Sequence, residues 1–343
     1  MKRRINMLEK KCLFSLLLAL CFVLTLLPVT AGAAANTLEV GGVSYALTEA
    51  DLNAAIAAAH DGDTIKFIAS GTIPLTNDIV INKSITLDMN GQTVGLNSPS
   101  TFDFLSIPNG FSVTMKGSGT ITTNTRIYVN STATLTVQGG AVIEGTGDWQ
   151  TLINFGNVSM TGGALRQTSG KFVLQHSGTA IFDNVTIETS NGSGPVIWAA
   201  GGTLTLQNCT VRNNFSGTMI GTLPSVILVS GSAAVTLDGG SVTAPVGSTL
   251  PAIEAASTTT FTNNGATGGF AVISVTTGST TRYYNNHTAG WNAAAAADSA
   301  ATVKLLTNWT AEGGSFGTGD GFGTGGNILV PSAKTITLDL NGK

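Results

Sequence analysis

One short phrase recurs along this chain and limits what it can fold into. In Ile85-Thr86-Leu87-Asp88-Met89-Asn90-Gly91, two apolar residues flank a threonine and a turn follows. Related phrases begin at Val113, Leu135, Val158, Ala180, Leu204 and Val235, so successive starts lie 28, 22, 23, 22, 24 and 31 residues apart. Self-similarity at this period specifies a solenoid, in which each unit buries its apolar face only by stacking on its neighbours.

Within each unit the period-two alternation places the apolar residues inward and Thr or Ser outward, Ile181 being the exception. A Gly or Asn turn follows, suited to left-handed backbone angles. A second short strand then presents Val142, Leu165, Ile187, Val211 or Val242 to the core, and a third closes the unit. The third-strand series runs from Phe104–Ile107 through Arg126–Val129, Leu152–Phe155, Phe172–Leu174, Val196–Trp198, Val226–Val229 and Ala252–Glu254 to Ala271–Ile273. Three strands per 22–24 residues predict an all-β parallel β-helix of about eight rungs over residues 65–277, with equivalent positions stacked at about 4.8 Å.

The ends read differently. Residues 1–35 carry Lys2, Arg3, Arg4, Lys10 and Lys11, then an apolar run from Cys12 to Leu27 and small residues around Ala31–Ala35, the pattern of a secretory signal peptide. Residues 36–64 form an N-terminal cap. Its helix spans Thr48–His60, with Thr48 as N-cap and Leu52, Ala55, Ile56 and Ala59 on one face. Residues 278–343 read as a linker and the start of a second β-helix. Thr302-Val303-Lys304-Leu305 echoes Thr64-Ile65-Lys66-Phe67, and Thr337-Leu338-Asp339-Leu340-Asn341-Gly342 echoes Thr86-Leu87-Asp88-Met89-Asn90-Gly91. A second helix that starts near 290 and stops in its first rung implies a fragment of a longer protein. A Gly-rich insertion, 313–326, interrupts this part.

Beyond the leader, eleven Lys and Arg face eighteen Asp and Glu, and no basic patch suggests nucleic acid. Cys209 is the only cysteine outside the leader, so no disulfide forms within the mature chain. These features predict a bacterial protein, secreted or held at the cell surface, with no membrane span after leader removal.

The stretch Leu52-Asn53-Ala54-Ala55-Ile56-Ala57-Ala58-Ala59, followed by Gly62-Asp63-Thr64-Ile65, resembles the capping entrance of the pectin-lyase-like, right-handed β-helix superfamily. The Thr-Leu-x-Gly-Gly rungs resemble its bacterial, adhesin-like cell-surface members. The resemblance covers about 45–277 and implies the right-handed fold, whereas the superfamily spans lyases, glycosidases, tailspikes and adhesins. The Asn-Thr-Asp, Asp-Asp and Gly-His-Gly signatures of its polygalacturonases are absent. No acidic cluster on neighbouring third strands matches the Ca²⁺ site of its pectate lyases, so neither a metal nor another cofactor is expected.

The third-strand column is where the resemblance places a groove. Read from the sequence, its side chains are Ser106, Tyr128, Asn154, Leu174, Trp198, Leu228 and Glu254. Tyr128 and Trp198 suit stacking on sugar rings, with Asn154 and His176 as hydrogen-bonding partners. For catalysis the candidates are Glu144 and Asp148, in the loop Glu144–Gln150 beside Trp149, and Glu254; two carboxylates flanking a bond would serve a glycosidase. On the second strands, Arg166, Glu188 and Arg212 share one column and read as a charge ladder. Asn184 and Asn208 read as a turn-stabilising asparagine ladder. Asp88, Asp183 and Asp238 lie at turns of non-adjacent rungs and make no metal cluster.

Two functions fit. One is an adhesive or structural β-helix that projects the loops 189–195, 213–225 and 244–251 towards an extracellular polysaccharide or a host or cell-wall glycan. The alternative is a polysaccharide lyase or glycoside hydrolase, which needs carboxylates gathered in a groove.

Overall fold

The computed structural model describes residues 37–342, except 100–104, 171, 191–193, 216–224, 246–250, 257–258, 265–270, 285–286, 307–329 and 331–332. The leader, the whole of the Gly-rich insertion and the centres of the three projecting loops lie outside the described residues.

The chain coils into a parallel β-helix with three sheets. The first sheet stacks the recurring phrases, from Thr64–Phe67 to Thr260–Asn263. The second runs from Gly71–Pro74 to Ser241–Thr243 and is eight strands deep. The third runs parallel from Ile79–Val80 to Ile253–Ala256. Equivalent residues pair in register: Val113 with Leu135, Leu135 with Val158, and Val158 with Ala180. The apolar residues therefore form unbroken internal stacks. Leu135, Ile143, Leu165, Phe182, Ile187 and Leu204 are fully buried in one continuous core.

The turns follow from backbone geometry. Asn90, Asn184 and Asn208 adopt φ of 48°, 55° and 50°, the left-handed region that Asn tolerates better than most residues. The amide of Asn184 donates to the carboxylate of its neighbour Asp183 at 2.8 Å. It is the backbone that links these turns across rungs, Asn184 N–H donating to Gln207 O at 2.9 Å and Asn208 N–H to Asp238 O at 2.8 Å. The expected asparagine ladder is thus a stack of backbone turns, with Asn184 bonding locally. At the corner between the third and first sheets, Gly156 and Gly178 stack so closely that a Cβ on Gly178 would lie 2.1 Å from Gly156 O.

The N-terminal cap contains a hairpin that the sequence reading lacked. Leu38–Val40 pairs antiparallel with Val43–Tyr45 on one side and with Thr64–Phe67 on the other. Helix α1, Glu49–Ala58, begins at the predicted cap, where Asp51 N–H donates to Thr48 Oγ1 at 3.1 Å. Glu49 accepts hydrogen bonds from Asn77 Nδ2 and from the amide and hydroxyl of Thr76, which tie the helix to the first rung and hold its carboxyl below the usual range.

The same cap occurs twice. Ile273–Thr277 pairs antiparallel with Thr280–Tyr284 and with Ala301–Leu305, which then pairs parallel with Ile336–Asp339. Leu38 opposite Phe67 is matched by Ile273 opposite Leu305, and Lys66 beside Asp88 by Lys304 beside Asp339. Even the flanking bonds agree: Thr37 N–H to Tyr45 O and Val272 N–H to Tyr284 O. Helix α2, His287–Ala296, buries Trp291 and Ala294 where α1 buries Leu52 and Ala55, and these residues belong to a second core. The second cap therefore opens with the hairpin strand Ile273–Thr277, ahead of helix α2. Ala271–Ile273, expected as a parallel third strand, instead leads into this antiparallel hairpin, and the parallel rungs end earlier than 277. The outer hairpin strand pairs antiparallel with Ile253–Ala256, so the third sheet runs on into the second cap.

Two outcomes test this packing. Gly178→Val forces a side chain into the neighbouring turn and is expected to destabilise by at least about 1–3 kcal/mol, read as a lowered midpoint in thermal or denaturant melts. Cys209 is buried with its sulfur 3.3 Å from Phe182 O, and burial pushes its thiol up to about 11. A thiol reagent at pH 8 should leave it unmodified in native protein and label it fully in denaturant.

Candidate carbohydrate-binding face

The outer face of the third sheet carries the aromatic residues, and strand register decides which side chains reach it. Tyr128 pairs with Ser106 and with Ile153, Ile153 with Gln175, Gln175 with Trp198, Trp198 with Leu228, and Leu228 with Glu254. The outward column thus contains Ile153 and Gln175 where the sequence reading had Asn154 and Leu174. Sliding a strand by one residue exchanges its faces. Leu174 belongs to the core, and Asn154 and His176 are both fully buried.

The two buried polar residues bond to each other on adjacent rungs through the Asn154 NH2 group, while Asn154 Oδ1 has no partner. Asn154 Nδ2 donates to His176 Nδ1 at 3.1 Å and to Thr179 O at 3.1 Å. With Nδ1 accepting, the proton sits on His176 Nε2, which donates to Thr203 O at 3.1 Å. Burial drives the imidazole down to about 4, against the opposing effect of its backbone hydrogen bonds. Neither side chain reaches the sheet surface, so the two hydrogen-bonding residues expected on the outer face lie inside the coil. Their role is to make a polar step in the core tolerable, since buried polar groups persist only when hydrogen-bonded.

The aromatics do come to the surface, with partners that the sequence did not reveal. Tyr128 lies 5.6 Å from Phe155, centroid to centroid, and Phe172 lies 5.6 Å from Trp198 in an edge-on pair. Phe155 is 37% exposed. Trp198 Nε1–H donates to Ser230 Oγ at 3.0 Å, which fixes the indole plane. Gln150 Nε2 donates to Gln175 Oε1 at 3.1 Å, placing an amide pair between the two aromatic pairs. At the corner, the Arg126 guanidinium lies 5.0 Å from the centre of the Trp149 ring.

Glu254 lies apart from the other two candidate carboxylates. Glu144 lies in the second sheet, in register with Arg166, not in the loop with Asp148. Asp148 is exposed in the corner that follows. Glu254 sits four rungs further along, about 19 Å at the stacking interval, and is bound to Arg282 at 3.0 Å. That separation exceeds the span of about 5–10 Å between the two acids of a glycosidase. The charge ladder is as expected: Glu188 holds Arg166 at 2.8 Å and Arg212 at 2.7 Å. Burial opposes the charge of Glu188, but Arg212, Asn214 and Arg166 outweigh it and keep its carboxyl below the usual range. Among the described residues no three His, Cys, Asp or Glu side chains converge as a metal site, and no helix is long and apolar enough to cross a membrane.

Comparison with protein-family models, with curated proteins and with solved structures finds no match for this chain.

The His176 geometry predicts a pH effect. Its folded value lies below the ordinary histidine value near 6.5, so the unfolded chain binds the extra proton first. The stabilisation is fully present above pH 6.5 and is lost as pH falls towards 4. On the order of 3 kcal/mol is at stake, and denaturant melts of wild type and His176→Gln between pH 7 and 4 should show a weaker pH dependence in the variant.

Proposed function

We propose that this is a secreted, cell-surface β-helix protein with an adhesive role, binding extracellular polysaccharide on the outer face of its third sheet. The observation that carries the reading is the row of partly exposed aromatics, Tyr128, Phe155, Phe172 and Trp198, interleaved with the partly exposed Gln175, whose amide is held by the buried Gln150. Aromatic faces pack against the apolar faces of sugar rings while amides bond to hydroxyls. The apolar leader, residues 1–35, supports export, and the low charge of the sequence fits a stiff solenoid that presents a surface.

The fold supports kinship with the pectin-lyase-like superfamily and its adhesin-like members, as the capping stretch and the Thr-Leu-x-Gly-Gly rungs suggested. The repeated cap supports a chain built as consecutive β-helices, the second opening with Ile273–Thr277. The dispersed carboxylates favour binding over hydrolysis.

The test is a panel of immobilised polysaccharides, probed with the mature chain and assayed in parallel for released reducing ends and unsaturated uronides. Retention without product release is the expected result, with at least roughly tenfold weaker retention for Trp198→Ala, a loss equivalent to about 1.4 kcal/mol. Product release abolished by Asp148→Asn or Glu254→Gln would make the protein an enzyme and overturn the reading.

A further inference from the structure

We propose that the polysaccharide is an uncharged, linear chain lying parallel to the helix axis across four rungs. This rests on the third-sheet binding face proposed above and specifies what it takes. Direction follows from the placement of the aromatics. Tyr128 and Trp198 occupy one column, three rung steps apart, about 14 Å at the stacking interval. Phe155 widens the first platform and Phe172 the second, with Gln175 between them, held by the buried Gln150. A chain crossing the sheet along the strands would leave it after three residues, about 10 Å, and would meet one platform only. A chain along the axis meets platform, amide and platform in turn.

The absence of charge follows from the same column. Between Ser106 and Leu228 its outward side chains are Tyr128, Ile153, Gln175 and Trp198, none of them ionisable at neutral pH. Among the described residues, the cations bordering this face are engaged: Arg126 lies over Trp149, and Arg282 is bound to Glu254 through its Nε at 3.0 Å and its Nη2 at 3.4 Å. A polyuronate requires Arg or Lys forks or a divalent cation held by clustered acids. Among the described residues no clustered acids could hold a cation, and the two bordering arginines already have partners. An uncharged chain requires only flat apolar faces and an amide that exchanges hydrogen bonds with hydroxyls; the aromatic pairs supply the first and Gln175, partly exposed between them, the second.

The experiment measures binding of the mature chain to neutral polymers (β-glucan, mannan, xylan) and to acidic ones (polygalacturonate, alginate), at low and high salt. A ladder of neutral oligosaccharides of increasing length accompanies them. The expected result is binding to a neutral polymer that changes less than twofold with salt, rises with oligosaccharide length until both platforms are spanned, and falls about tenfold in Tyr128→Ala and in Trp198→Ala. Thermal melts confirm that both variants fold. Arg166→Ala, on the second sheet, should bind as wild type. Binding confined to acidic polymers, yet lost in the aromatic variants, would overturn the uncharged ligand and leave the face intact as a binding site. Affinity already at its maximum with a disaccharide would overturn the axial, four-rung placement. Binding that is unchanged in both aromatic variants, or no binding to any polymer, would overturn the face itself.

Discussion

Everything in this molecule depends on in-register parallel stacking. Each rung is too thin to bury its own apolar residues, so Leu135 is shielded only because Val113 and Val158 lie above and below it. The same constraint sets the surface. What one rung points outward is continued by the next at about 4.8 Å, so a residue acquires a function only as a member of a column. The charge ladder centred on Glu188 and the aromatic face around Gln175 are two results of one rule.

The ends of such a stack carry open backbone groups, and the chain answers them with one device used twice. The hairpin at Leu38–Tyr45 turns the first sheet antiparallel, and α1 packs beside it. At the second occurrence the outer hairpin strand does more than finish a unit. It accepts Ile253–Ala256, the last parallel strand of the third sheet, and the pairing places Arg282 against Glu254. The third sheet thereby runs through the hairpin of the second cap and on to Ala301–Leu305, the counterpart of Thr64–Phe67, without a break in hydrogen bonding. A sheet edge prone to unwanted pairing becomes a joint.

The sequence made the fold legible because the repeat is long and its alternation regular. The phrases starting at Leu135 and Leu204 announce their strands, and Thr48 announces its helix. The cap hairpin was illegible because its first two strands are three residues each, too short for periodicity to register. The site was legible only in part. Tyr128 and Trp198 stood out as aromatics in otherwise alternating strands and do face outward. The column failed at Leu152-Ile153-Asn154, where alternation and polarity disagree: hydrophobicity alone sends Ile153 inward, whereas the pairing sends Asn154 inward to His176. A polar residue at the same position of two adjacent rungs was the available signal. Phe155 and Phe172 were missed because they sit at strand ends, where neighbours across the rungs, not sequence alternation, decide exposure. Glu144 reads as a loop residue because its strand ends in Gly145, although its register with Arg166 puts it on the second sheet.

The central claim is that ligand recognition belongs to one face of the coil. Its most direct test is to map, by amide hydrogen exchange or chemical-shift perturbation, where a bound neutral oligosaccharide touches the mature chain. The account predicts changes confined to the third sheet and its corners, around 126–130, 149–155, 172–177 and 198–200, with the first sheet, the second sheet and both caps unchanged. Changes centred on the threonine-rich first sheet, on the charge ladder of the second, or on either cap would contradict it.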